Sequence, residues 1–77
     1  MRTEGGGASV KIKARSDQFA RARILLGLSQ RELAKRAGLS HAYISLVERA
    51  CKTIGPRAAV RLSQLLNREL EDLFIIE

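Results

Sequence analysis

The residues able to do chemistry crowd between Ser29 and Lys52: Ser29, Gln30, Arg31, Glu32, Ser40, His41, Tyr43, Ser45, Arg49, Cys51 and Lys52. They are hydrogen-bond donors, acceptors and cations, and their spacing does not assemble a reacting centre. His41 and Cys51 are the only His and Cys of the chain, and two such ligands do not make a zinc site. There is no nucleophile–base pair and no carboxylate dyad, and Gly5-Gly6-Gly7 lacks the strand and helix that a phosphate-cradling loop needs. An enzyme therefore has little support, and no metal or cofactor is implied. The chemistry on offer is recognition by hydrogen bonds and charge.

The elements that must carry these residues are helical. With 4% aromatic residues and a single Pro, the composition favours aliphatic helices over a β-sandwich. Ser16 suits the N-cap of a first helix running to about Leu26, with Phe19, Ala22 and Leu26 on one face and Gly27 ending it. Ser29-x-x-Glu32 is a capping box that starts a second helix sharply at Gln30, to end at Ala37. Gly38 supplies a left-handed residue just past that helix, and Ser40 caps a third. Gly55-Pro56 opens a fourth helix lined by Ala59, Leu62 and Leu66, and Asn67 is a left-handed stop. Leu70, Leu73 and Phe74 suit a short fifth helix, followed by Ile75-Ile76.

Helices two and three read as helix, tight turn, helix. Leu33, Ala34 and Ala37 face Leu39, Ile44 and Val47 in a shared core, leaving His41, Ala42, Ser45, Leu46 and Arg49 outside. Such a unit holds one short helix in the major groove of DNA. Before it, Met1 to Ala8 has no period and the glycines of a flexible tail. Val10-Lys11-Ile12-Lys13 alternates apolar and basic residues, as a short extended piece or a basic arm would. The division expected is a flexible basic arm over residues 1–15 and one domain over residues 16–77.

Charge points the same way. The chain carries +6 in 77 residues, but residues 1–57 hold +8 and residues 58–77 hold −2. That asymmetry suits a polyanionic partner, a solvated face or an anionic membrane surface. A lone cysteine and the lack of a secretory apolar region make a reducing, cytoplasmic setting the expectation, and no run approaches the ~20 apolar residues that span a bilayer.

At this point the sequence resembles the Cro/CI-type (xenobiotic-response-element-like) helix-turn-helix transcriptional regulators, over Asp17 to about Phe74. The resemblance rests on residues 26–34 (Leu-Gly-Leu-Ser-Gln-Arg-Glu-Leu-Ala), 37–40 (Ala-Gly-Leu-Ser), 43–45 (Tyr-Ile-Ser), Glu48-Arg49 and 65–74 (Leu-Leu-Asn-Arg-Glu-Leu-Glu-Asp-Leu-Phe). It implies an all-α, compact, five-helix, lambda-repressor-like domain. It also implies roles. His41, Ala42, Ser45 and Leu46 fall where base edges are read, and their donors, acceptors and methyl groups fit that work. Gln30, Arg31, Ser40, Tyr43, Arg49 and Lys52 fall where the backbone phosphates are held. Arg23 and Glu48 match an ion pair between helix one and the end of helix three.

Two departures stand out: Ala50 where such proteins commonly have glycine, and Glu69 in place of a serine cap. The function implied is a sequence-specific double-stranded DNA-binding regulator, a repressor binding an inverted repeat as a homodimer. Leu70, Phe74, Ile75 and Ile76 are the apolar residues expected to form the dimer contact. The alternative from another class is a protein-interaction module, such as an antitoxin, whose acidic C-terminal part binds a partner protein.

Overall fold

The computed structural model describes residues 10–77, so the glycine-rich tail lies outside the described residues. Five helices and a two-stranded sheet follow in the order β1 (Ile12–Ala14), α1 (Ser16–Leu25), α2 (Gln30–Ala37), α3 (His41–Glu48), α4 (Pro56–Leu66), α5 (Leu70–Leu73) and β2 (Phe74–Ile76). The fold is the helical one that the sequence implies, with a small sheet added. β1 and β2 pair antiparallel, Ile12 opposite Ile76 and Ala14 opposite Phe74. The loop before α4 joins the far side of β1, where the Ile54 N–H donates to the Ile12 carbonyl at 3.0 Å.

That sheet corrects the expectation of a flexible arm up to residue 15. Ile12 and Ala14 are buried, at 2% and 3% exposure, while Lys13 between them faces solvent. The apolar–basic alternation is thus the period of a strand with one face on the core. Arg15 remains tied to this ladder, its N–H donating to the Leu73 carbonyl at 2.7 Å. Its extended backbone therefore makes it the N-cap of α1, and Ser16 is the first helical residue and not the cap.

One core joins all the elements. Phe19, Leu33, Ile44, Val47, Ala59, Leu62 and Leu66 are each 0% exposed. Phe19 of α1 meets Phe74 of β2 edge to face, with ring centroids 5.8 Å apart and planes at 71°. Burying such a side chain contributes about 1.5–3 kcal/mol. Phe74 is therefore a core residue at the start of a strand, not part of α5.

Leu26 departs from the expected inner face of α1 and is 47% exposed. The helix ends at Leu25, so the helical spacing no longer governs Leu26. Gly27, at φ 71°, then turns the chain and delivers Leu28 to the core instead. α2 and α3 pack on each other through Leu33, Ala34, Ala37, Ile44 and Val47, and the part-buried Leu39 closes the turn between them.

Candidate nucleic-acid interface

Local rules fix where α2 and α3 start. At the head of α2 the Ser29 hydroxyl accepts from the Glu32 N–H at 3.0 Å, and the Glu32 carboxylate accepts from the Ser29 N–H at 2.9 Å. These bonds hold the Glu32 carboxyl below its usual range, chiefly through the backbone donor of Ser29. Gly38 ends α2 at φ 73°, and Leu39 N–H reaches back to the Ala34 carbonyl. Two residues later Ser40 caps α3, its hydroxyl accepting from Tyr43 N–H at 3.0 Å.

α3 buries Ile44, Val47 and Glu48 and turns its other side outward. His41 and Ala42 are exposed, and Ser45 and Leu46 are half-buried beside them along the same helix. The four candidate base readers thus share one helix, the first two exposed and the second two partly recessed. Ser40 and Arg49 lie exposed at the two ends of α3, and Lys52 lies exposed in the loop beyond it. Tyr43 packs its ring on the core margin, and its hydroxyl reaches toward the Thr53 carbonyl at 3.5 Å. The Lys52 ammonium sits 5.7 Å from the centre of that ring, a cation–π placement that holds the cation next to α3. Arg31 is exposed in the first turn of α2.

Gln30 is placed differently from a solvated residue. Its amide Nε2 donates to Glu48 Oε2 at 3.0 Å. The same carboxylate receives Arg23 Nε at 2.8 Å on one oxygen and Arg23 Nη2 at 3.1 Å on the other. Arg23 Nη1 completes the cluster by donating to the Leu28 carbonyl at 2.8 Å. The fork of the guanidinium thus fits the carboxylate bidentately, which raises the affinity of Arg23 for its proton further. The cluster spans α1, the turn before α2, the head of α2 and the end of α3. The sequence reading contains the pair of Arg23 and Glu48 but misses the third and fourth members; Gln30 at seven residues past Arg23, two helical turns in a helix that is here interrupted, gives no spacing signal.

The loop after α3 follows the rules of a helix stop. Ala50 takes φ 59°, its N–H bonds the Val47 carbonyl at 3.0 Å and the Cys51 N–H bonds the Leu46 carbonyl at 2.9 Å. This is the paired closure that normally ends in glycine. Ala50 thus keeps the backbone that a glycine would adopt, so this departure in sequence is not a departure in conformation. Among the described residues no group of three or more His, Cys, Asp or Glu side chains could hold a metal ion. Among the described residues no helix is long and apolar enough to cross a membrane.

Of the four expected dimer contacts, two change. Phe74 is 1% exposed and belongs to the core, and Leu70 is half-buried against it, whereas Ile75 and Ile76 are 40% and 51% exposed. Burial against Phe19 removes the Phe74 ring from any interface.

The family profile HTH_3, Helix-turn-helix, matches residues 19–73. No curated protein matches the sequence. Among solved structures, the chain is similar to the restriction-modification controller protein C.AhdI from Aeromonas hydrophila, with 28% identity, 74% of this chain and 83% of that one covered, and a TM-score of 0.67. It is also similar to SinR, the master regulator for biofilm formation, solved in complex with DNA: 26% identity, 73% and 90% covered, TM-score 0.66. The transcriptional regulator VanUg, at 12% identity, covers 99% of this chain and 97% of its own with a TM-score of 0.66, a likeness of fold alone. With the turn, the capped α2 and α3 and the brace on α3 all lying within the matched segment, the chain belongs to the Cro/CI-type helix-turn-helix family of transcriptional regulators.

Proposed function

We propose that this domain is a sequence-specific double-stranded DNA-binding regulator, a cytoplasmic repressor that binds an inverted repeat as a homodimer with α3 in the major groove. The observation that carries this reading is the sidedness of α3. Its inner face is buried and braced by Arg23 and Gln30 through Glu48, while His41 and Ala42 stand exposed at its start, and the candidate phosphate holders Arg31, Arg49 and Lys52 are exposed in the first turn of α2, at the end of α3 and in the loop beyond it. Such a face offers base-edge contacts flanked by phosphate contacts. The likeness to SinR, a structure in complex with DNA, supports the reading. In this reading Gln30 gives one amide hydrogen to Glu48 and the other to a phosphate oxygen. Two copies on one duplex would place their α3 helices about 34 Å apart.

Binding isotherms on a random duplex pool across a salt series test it. The expected outcome is affinity that falls steeply and linearly in log salt, because phosphate neutralisation releases counterions. Affinity for duplex that ignores salt would reject it.

A second reading, a module that binds a partner protein through its C-terminal part, is favoured by one observation. The exposed Glu69, Glu71 and Asp72 adjoin the exposed Ile75 and Ile76. It predicts salt-insensitive partner binding that survives Arg49→Ala.

A further inference from the structure

The hydrogen-bond parity of the small sheet leaves one strand edge facing outward. Lys11 and Glu77 exchange both backbone bonds, at 3.2 and 2.8 Å. In an antiparallel ladder such pairs alternate with pairs whose backbone groups point away from each other. Ile12 and Ile76, next in register, are therefore a pair of the second kind. The Ile12 carbonyl does point away from β2, since it receives the Ile54 N–H. By the same parity the N–H and C=O of Ile76 point away from β1, toward the outer edge of β2.

The two sides of the sheet are thus unequal. The outer side of β1 is met by Ile54, and the outer side of β2 meets no strand among the described residues. That edge reads Phe-Ile-Ile, with neither the lysine nor the proline that commonly protects an edge strand. Its side chains Ile75 and Ile76 are 40% and 51% exposed.

We infer that β2 pairs antiparallel with β2 of a second copy, centred on Ile76, so that the dimer carries one continuous four-stranded sheet. This rests on the homodimer reading above and gives it an interface. The register follows from the parity: Ile76 and its mate form a pair that exchanges two N–H to C=O bonds, with Cα atoms about 5.5 Å apart. On the core-facing side the row across the sheet becomes Ile12, Ile76 and the same two residues of the second copy, four isoleucines in line. On the solvent side Ile75 lies between Lys13 of its own chain and Glu77 of the second copy, and beyond that Glu77 comes the second copy's Lys11. Each carboxylate then stands in one row with two lysines, a complementary order of charge.

The pairing closes on itself. The edge that Ile54 occupies cannot accept another strand, so the symmetry is a two-fold and not a filament.

The test is sedimentation equilibrium of the full chain, free and saturated with a selected duplex. Ile76→Pro removes the one outward N–H and tolerates the β1 pairing, which does not use it. Wild type is expected to dimerise, and Ile76→Pro to weaken the dimer by roughly tenfold or more, about 1.4 kcal/mol, with unchanged far-UV circular dichroism. Glu77→Lys, at an exposed position, is expected to weaken the dimer at low salt and to recover at high salt. If Ile76→Pro does not fold, Glu77→Lys decides. A dimer that both variants leave intact overturns the shared sheet and leaves the homodimer reading standing. A wild type that stays monomeric in both samples overturns the homodimer reading and the sheet with it.

Discussion

Arg23 and Glu48, twenty-five positions apart, lock α3 to α1 through a bidentate pair with Nε to Oε1 at 2.8 Å. Only 12% and 10% of the two side chains are exposed, so solvent screens the pair weakly. Glu48 takes Gln30 as well, which makes it the one acceptor for three donors from two helices.

Removing that acceptor is the most damaging single change at the site. Glu48→Ala strands a mostly buried guanidinium and releases the Gln30 amide, a loss of roughly 2–3 kcal/mol. Urea denaturation measures it. The double variant with Arg23→Met is expected to recover part of the loss, and strict additivity of the two single changes would mean that the pair is not coupled.

Ala50 carries strain that glycine would relieve. An L-residue at φ 59° costs on the order of 1–2 kcal/mol in the left-handed region. Ala50→Gly removes that cost and adds backbone freedom to the unfolded chain, so a net gain of about 1 kcal/mol is expected. A thermal melt checks it. No gain would mean that the loop sits otherwise in solution.

The capping box predicts a pH effect with a defined sign. The carboxyl of Glu32 is held below its ordinary 4.5 in the folded chain, so its contribution is present above that value. It is lost as the pH falls through the lower folded value. Urea midpoints between neutral pH and pH ~3 are expected to fall more for wild type than for Glu32→Gln, which keeps an acceptor at the same place but does not titrate. Parallel curves would remove the carboxylate from the cap.

On DNA, the two classes of contact are expected to separate. Arg49→Ala and Lys52→Ala should each weaken binding about equally across sequences and lower the slope of log affinity against log salt by about 1. Tyr43→Leu should reproduce part of the Lys52 effect, because the ring that holds the ammonium is gone. A slope unchanged by all three would place the phosphates elsewhere.

How much of this the sequence reveals depends on how local the cause is. Ser29, Gly38, Ser40, Pro56 and Asn67 act within one helical turn, and each is seen where its type demands. The buried faces of α2 and α4 follow from spacing in the same way. Ile12 and Phe74 behave otherwise, because their partners, Ile76 and Phe19, lie 64 and 55 residues away. No local pattern distinguishes a short strand from a basic arm until both ends of the chain are brought together. Gln30 illustrates the same limit at the site: the family resemblance implies a phosphate contact for it, and its bond to Glu48 is visible only in the fold.

We propose that the exposed side of α3 reads bases. Selection from a random duplex library, with wild type and His41→Ala side by side, tests it most directly. An inverted-repeat consensus is expected for wild type and relaxed preference at one position in each half-site for His41→Ala, where a lost base contact costs about 1–3 kcal/mol of discrimination. An identical consensus for both proteins would remove His41 from the readers, and no enrichment for either would contradict the claim outright.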